Sequence, residues 1–168
     1  MSYTVLNSAM SSTLLSDSEV AGLCSADADL VAMLDFEAAL AEAEAEAGVF
    51  SSRLAQQIAA ACRGFRPDMA RLDAGISRDG MAVPDLVAQL REAIGTEASK
   101  YLHFGATSQD VIDTSLTSRL QRVNQILEPR LLNVCASLAH LDKRFGPTQL
   151  MARTRMPAAL PILAGHRM

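Results

Sequence analysis

The run HFGATSQDVIDTSLTSRLQRVNQILEPRLLNVCASLAHLDKRF, residues 103–145, decides the fold. Within it Ile112, Leu116, Leu120, Val123, Leu127, Leu131, Val134, Leu138, Leu141 and Phe145 follow one another at steps of three or four residues. Such steps keep one unbroken apolar stripe on one face of an α-helix, and they predict a single helix from about Gln109 to Arg144. Pro129 removes one backbone hydrogen bond inside it and predicts a bend near Gln125 to Leu127. At 1.5 Å per residue the helix is roughly 50 Å long, longer than a compact domain of this size can cover. The stripe therefore needs partners, either further helices or other subunits.

The entry to that helix is the polar, glycine-containing turn His103-Phe-Gly-Ala-Thr-Ser-Gln-Asp110. Thr107 or Ser108 can cap the helix, and Asp110 is favourable in its first turn. Free N–H groups at such an end, with two hydroxyls beside them, form a seat for a carboxylate. An isolated Thr-Ser-x-Asp is ordinarily a helix cap and nothing else, so the wider sequence has to decide between the two roles.

Upstream, helix signals recur. Ser16-Asp-Ser-Glu19 reads as a capping box opening a short helix. A second helix is expected from near Asp27 to Gly48, burying Met33, Phe36, Leu40, Ala43 and Ala47. The Ala-Glu alternation at 41–47 has strand period, but both residues favour helix. A third should start at Ser51 or Ser52 and run to about Arg63. Pro67 opens a fourth that Gly75 ends, and Pro84 to Ile94 forms a fifth closed by Gly95. The expected class is all-α: a small amino-terminal helical domain, residues 1–106, followed by residues 107–168 as the start of a helical bundle.

The chain has 168 residues and a net charge of −4, unevenly spread. Residues 1–50 hold nine carboxylates and no Lys or Arg, whereas residues 140–168 hold five bases against one acid. A net acidic chain without interleaved basic and aromatic residues is a poor nucleic-acid ligand, but a basic end can meet a small polyanion. Cys24, Cys62 and Cys135 are scattered and odd in number, which supports neither a disulfide framework nor a zinc site and fits a reducing cytoplasm. Neither a secretory signal nor a membrane-spanning apolar run is expected.

The residues from His103 to Asp110 resemble the first signature of the fumarase/aspartase superfamily. Residues 25–48 and Asp79-Gly-Met-Ala-Val-Pro-Asp-Leu-Val-Ala-Gln-Leu90 are similar to the muconate-cycloisomerase branch of it. Ala152-Arg-Thr-Arg-Met-Pro157 resembles the second signature, usually Gly-Arg-Thr-x-x-Gln. The third signature, a Gly-Ser-Ser-x-x-Met-Pro loop, has no counterpart, and full members are well over twice as long. The chain thus reads as the amino-terminal portion of such an enzyme.

The resemblance implies a small polycarboxylate as substrate, no metal or organic cofactor, and a bundle shared by four copies with active sites at subunit junctions. It implies that Thr107, Ser108 and Gln109 bind a substrate carboxylate and that Arg153, Thr154 and Arg155 bind the rest of a multiply charged substrate. His103, where related lyases often carry His, could relay a proton. His140, one residue off the stripe, reads as structural, and His166 lies in no motif. Two departures matter. Arg155 and Pro157 stand where His and Gln are usual in the second signature. Arg78-Asp79-Gly80 stands where adenylosuccinate lyases carry Arg-His-Asp. Both disfavour His-dependent fumarate release and fit intramolecular cycloisomerisation. The alternatives are adenylosuccinate lyase or another fumarate-releasing relative, and a non-catalytic helical assembly piece.

Overall fold

The computed structural model describes residues 16–153, 155 and 158–167. Six α-helices dominate them: α1 Ser18–Leu23, α2 Ala26–Glu46, α3 Ser52–Gly64, α4 Met69–Asp79, α5 Val83–Ile94 and α6 Ser108–Phe145. A 3-10 turn, Ala98–Lys100, precedes α6; strands β1 Gln149–Arg153 and β2 Ala158–Leu163 and a last 3-10 turn, Ala164–Arg167, follow it. The fold is all-α with one small antiparallel hairpin. The chain divides into two compact units, one ending at Val123 and one beginning at Asn124, with α6 crossing the division.

Local chemistry sets most boundaries. Asp17 caps α1 by accepting from the N–H groups of Glu19 and Val20, so the cap is the aspartate and not Ser16. Ser25 caps α2 through the Ala28 N–H, with Asp27 and Asp29 in the first turn, where the helix dipole favours negative charge. Asp68 caps α4 through the N–H groups of Ala70 and Arg71. Pro84 stands in the first turn of α5, where its missing N–H costs nothing, and Gly95 at φ 93° closes that helix.

In the first unit Ile58 of α3, Leu90 of α5 and Val111 of α6 are completely buried, joined by Leu34 of α2 and Leu102 of the following turn. Helix α2 buries Met33, Leu34, Glu37, Ala38 and Ala41. Of the face expected from sequence only Met33 is buried; Phe36 and Leu40 are half-buried, and Ala43 and Ala47 are exposed. An alanine-rich helix offers several faces of nearly equal hydrophobicity, and packing against α3 selects one that carries a carboxylate.

Gly75 does not end α4. It is buried inside the helix, and Gly80, at φ 75°, closes it. A Cβ on Gly75 would stand 2.6 Å from Cβ of Asp85, so the missing side chain lets α5 approach. The contact is stitched by polar groups: Arg71 forks onto Glu92 at 2.7 and 2.8 Å and reaches Asp85 at 3.3 Å. Gln89 donates to Asp85 at 2.7 Å and accepts from the Asp68 N–H at 2.7 Å. Gly75→Ala is expected to destabilise the chain. Overpacking costs about 1–3 kcal/mol and outweighs the gain of about 1 kcal/mol in helix propensity. Urea unfolding should show a lower midpoint, whereas Gly22→Ala, with nothing within 4 Å of the added Cβ, should leave it unchanged or raise it.

Helix α6 runs without interruption through Pro129, as expected from its stripe. Its buried residues are Val111, Ser115 and Val123. Ser115 donates to Asp29 of α2 at 2.5 Å, and Arg119 donates to the same oxygen at 2.6 Å and to the Leu23 carbonyl at 3.4 Å. The face that meets the short helices is thus one residue away from the leucine stripe. Among the stripe residues Val123 is buried and Ile112 half-buried, while Leu116, Leu120, Leu127, Leu131, Val134, Leu138, Leu141 and Phe145 are all exposed.

In the second unit β1 pairs with β2 from Gln149↔Leu163 to Arg153↔Ala158, with a register shift between Met151 and Arg153. Sequence reading expected no strands here.

Candidate active site

The turn before α6 is held from below by Leu102, buried and with its carbonyl accepting from Arg91 at 3.0 Å. The chain then enters the left-handed region twice, at His103 (φ 56°) and Gly105 (φ 70°). Glycine takes that conformation without cost, and His is among the few side-chain-bearing residues enriched there. Gly105 also lies close to Glu44, whose Oε1 would be 3.7 Å from an added Cβ.

Thr107 caps the helix. Its N–H and its hydroxyl both donate to Asp110 Oδ2, at 2.7 and 2.9 Å, and the Asp110 N–H returns to Thr107 Oγ1 at 3.4 Å. This is a reciprocal capping box with Asp in the acidic position. The Thr107 N–H and then its hydroxyl hold the Asp110 carboxyl below the usual carboxylate range, helped by the charge of His103. Gln109 turns along the helix and donates to Asp113 at 2.6 Å. Ser108 is half-buried, and its hydroxyl has no hydrogen-bond partner among the described residues. The N–H groups of Ser108 and Gln109 sit in the first helical turn, where no helical carbonyl is available to them. Of the expected trio, then, Thr107 builds the turn and Gln109 pairs along the helix, while the Ser108 hydroxyl is the side-chain group left without a hydrogen-bond partner among the described residues.

His103 is tied to α2. Its Nδ1 lies 2.6 Å from Glu37 Oε1, with the imidazole side chain 14% exposed and the glutamate 1%. Glu37 Oε2 and Glu44 Oε2 are buried without a hydrogen-bond partner among the described residues. Burial, and then the charge of Glu37, raises the Glu44 carboxyl above its ordinary value. Sequence reading passed over Glu37 inside an acid-rich stretch. Its signal was the spacing Met33, Glu37, Ala41, which places the carboxylate on the buried stripe.

Cys62 of α3 is buried in the same core. Burial, and then the charge of Glu37, pushes its thiol up to about 12. The thiolate is the reactive form, so a maleimide is expected to label exposed Cys24 under native conditions and Cys62 only after denaturation. Peptide mass mapping reads the difference.

The second group of expected residues lies in the other unit. Arg153 is the last residue of β1, and Arg155 follows in the bend toward β2; both are exposed. Thr154 lies outside the described residues. His140 is exposed on α6 and His166 in the last 3-10 turn. Among the described residues no group of three or more His, Cys, Asp or Glu is placed to hold a metal ion, and no helix is long and apolar enough to cross a membrane. A groove of about 300 Å³ lined by Asp27, Leu30, Leu34, Phe65, Arg66 and Met69 contains none of the expected residues.

Most of the chain is similar to known proteins. The chain is 37% identical over 142 residues to 3-carboxy-cis,cis-muconate cycloisomerase of Pseudomonas aeruginosa, covering 83% of this chain and 31% of that protein. The crystal structure of 3-carboxy-cis,cis-muconate lactonizing enzyme from Pseudomonas putida matches at a TM-score of 0.82 and 35% identity, over 90% of this chain and 35% of that one. That of beta-carboxy-cis,cis-muconate cycloisomerase from Acinetobacter calcoaceticus sp. ADP1 matches at 0.85 and 26% identity, over 94% and 38%. The chain thus spans about a third of the length of these relatives. The family model described as Lyase matches residues 2–168. With its long helix, its capped turn at Thr107 and that match over nearly every residue, this chain belongs to the Lyase family.

Proposed function

We propose that this chain carries the carboxylate-binding residues of a 3-carboxy-cis,cis-muconate cycloisomerase acting in protocatechuate catabolism. One substrate carboxylate adds through oxygen to a conjugated carbon, forming the lactone C–O bond. The displaced electron pair is delocalised into a neighbouring carboxylate, and the resulting carbanion takes up a proton to give a carboxymuconolactone. Nothing is oxidised or reduced, so the reaction as proposed needs no redox cofactor, and the arginines and helix-end donors named below take the charge that a metal would otherwise hold. Ser108 Oγ and the N–H groups of Ser108 and Gln109 hold the carboxylate on which charge grows, and donors fixed in advance at that point lower the barrier. Arg153 and Arg155, with Thr154, neutralise the other carboxylates; guanidinium forks suit them. His103 delivers or accepts the proton.

The observation that carries this reading is the unengaged Ser108 hydroxyl in the first turn of α6, five residues after His103, which a positive-φ turn holds against Glu37. In the whole protein residues 1–106 form one domain, and residues 107–168 enter a bundle shared by four copies. The eight exposed side chains of the apolar stripe along α6 support that assembly. Exposed free thiols at Cys24 and Cys135 suit a reducing cytoplasm. The test is incubation of the whole protein with 3-carboxy-cis,cis-muconate in chelator-treated buffer, followed by proton NMR. The vinyl protons of the diene should give way to those of a carboxymuconolactone; an unchanged spectrum contradicts the proposal.

A further inference from the structure

We propose that Glu37 is a positioning residue for His103. Its carboxylate holds the proton on Nδ1 and leaves Nε2 as the one imidazole nitrogen able to exchange a proton with substrate. The inference rests on the reading of His103 given above and extends it to a residue on another helix.

The argument begins with burial. Glu37 lies in the middle of α2 and is 2% exposed. A buried carboxylate costs several kcal/mol unless it is paired. The groups around it offer little compensation: burial, and then the charge of Glu37, raises both the Cys62 thiol of α3 and the Glu44 carboxyl. Its single hydrogen-bond partner among the described residues is His103 Nδ1, at 2.6 Å, and its second oxygen has none. The position is therefore explained by the imidazole and by nothing else around it.

The histidine side is equally specific. His103 sits in the left-handed region at φ 56°, and its ring, 14% exposed, has Nδ1 directed onto Glu37 at 2.6 Å. An ionised carboxylate only accepts hydrogen bonds, so Nδ1 must carry hydrogen. In the neutral ring Nε2 then has the free lone pair, and which nitrogen is protonated is set by the bond the other makes. The same residue pulls on Asp110, three residues into the capping box, so the imidazole lies within electrostatic reach of the turn that carries Ser108.

The test uses this chain labelled with 15N-histidine and long-range proton–nitrogen correlation near neutral to mildly alkaline pH. Wild type should show His103 with a protonated Nδ1 and a bare Nε2. Glu37→Gln, which keeps shape and removes the charge, should move the population toward the Nε2–H form. In turnover assays of the whole protein Glu37→Gln should lower kcat on the order of tenfold or more with KM little changed. The wild-type spectrum needs no variant, so a misfolded mutant does not remove the test. A wild-type His103 that is mainly Nε2–H overturns the proposal, and so does undiminished kcat in folded Glu37→Gln. Failure of the cycloisomerase reading is seen separately, as a wild-type protein that forms no lactone while its His103 tautomer stays fixed.

Discussion

Ser108→Ala is expected to lower turnover of 3-carboxy-cis,cis-muconate by the whole protein about 10²-fold or more, the usual effect of removing one donor from a developing oxyanion. The structure makes this substitution more informative than its neighbours. The Thr107 hydroxyl and N–H are already committed to Asp110, and the Gln109 amide to Asp113. Gln109→Ala should therefore change turnover only a few-fold, since its contribution is the main-chain N–H. Thr107→Ala should act partly through the helix start and lower stability by about 1 kcal/mol as a lost cap. Steady-state kinetics paired with thermal melts separates the two effects. Wild-type turnover in Ser108→Ala would reduce that serine to a first-turn residue with no part in binding. Arg155→Ala, by contrast, should raise KM more than it lowers kcat, because it removes charge that binds ground state and transition state alike.

Leu131→Asp is expected to abolish the self-association proposed above and leave a monomer. Leu131 is 63% exposed, and with Leu127, Leu132 and Cys135 it lines an apolar groove on α6 that polar Asn124 and Glu128 flank. In a bundle of several copies an aspartate there is a buried, unpaired charge costing about 3–5 kcal/mol. That corresponds to a weakening of association of roughly 10²–10³-fold or more. Light scattering across a concentration series reads it directly. Cys135 supplies an internal reporter: exposed in the single chain, it should label slowly in the assembled wild type and quickly in the variant. A wild-type chain that stays monomeric at high micromolar concentration, with Cys135 freely labelled, would contradict the assembly.

What sequence could and could not show follows from the range of the forces involved. The start of the long helix was legible because caps act within three residues, as in the Thr107–Asp110 box; the caps Ser25 and Asp68 were not singled out, and α4 starts at Met69 after Asp68 and not at Pro67. The long helix was legible because its periodicity is sustained over its whole length. Gly75 was misread as a terminator because its purpose lies across the helix interface, at Asp85, which no local pattern reveals. The buried face of α2 was displaced for the same reason. Its many alanines leave the choice of face to α3, and the face chosen brings in Glu37, the residue that ties α2 to the candidate site. The hairpin went unforeseen because the residues between Gln149 and Leu163 hold two prolines and no sustained alternation. Its strands pair with each other across an irregular register instead of joining a larger sheet.

The chemistry proposed above is ring closure of a carboxylated muconate and not release of fumarate. The most direct measurement is a competition: the whole protein is given 3-carboxy-cis,cis-muconate and adenylosuccinate in one mixture, and the ratio of kcat/KM values is read from the loss of diene absorbance and the appearance of fumarate. Arg155 and Asp79 stand at positions where fumarate-releasing relatives are expected to carry histidines, so the diene should be consumed and adenylosuccinate left intact. Cleavage of adenylosuccinate with the carboxymuconate untouched would rule out the cycloisomerase.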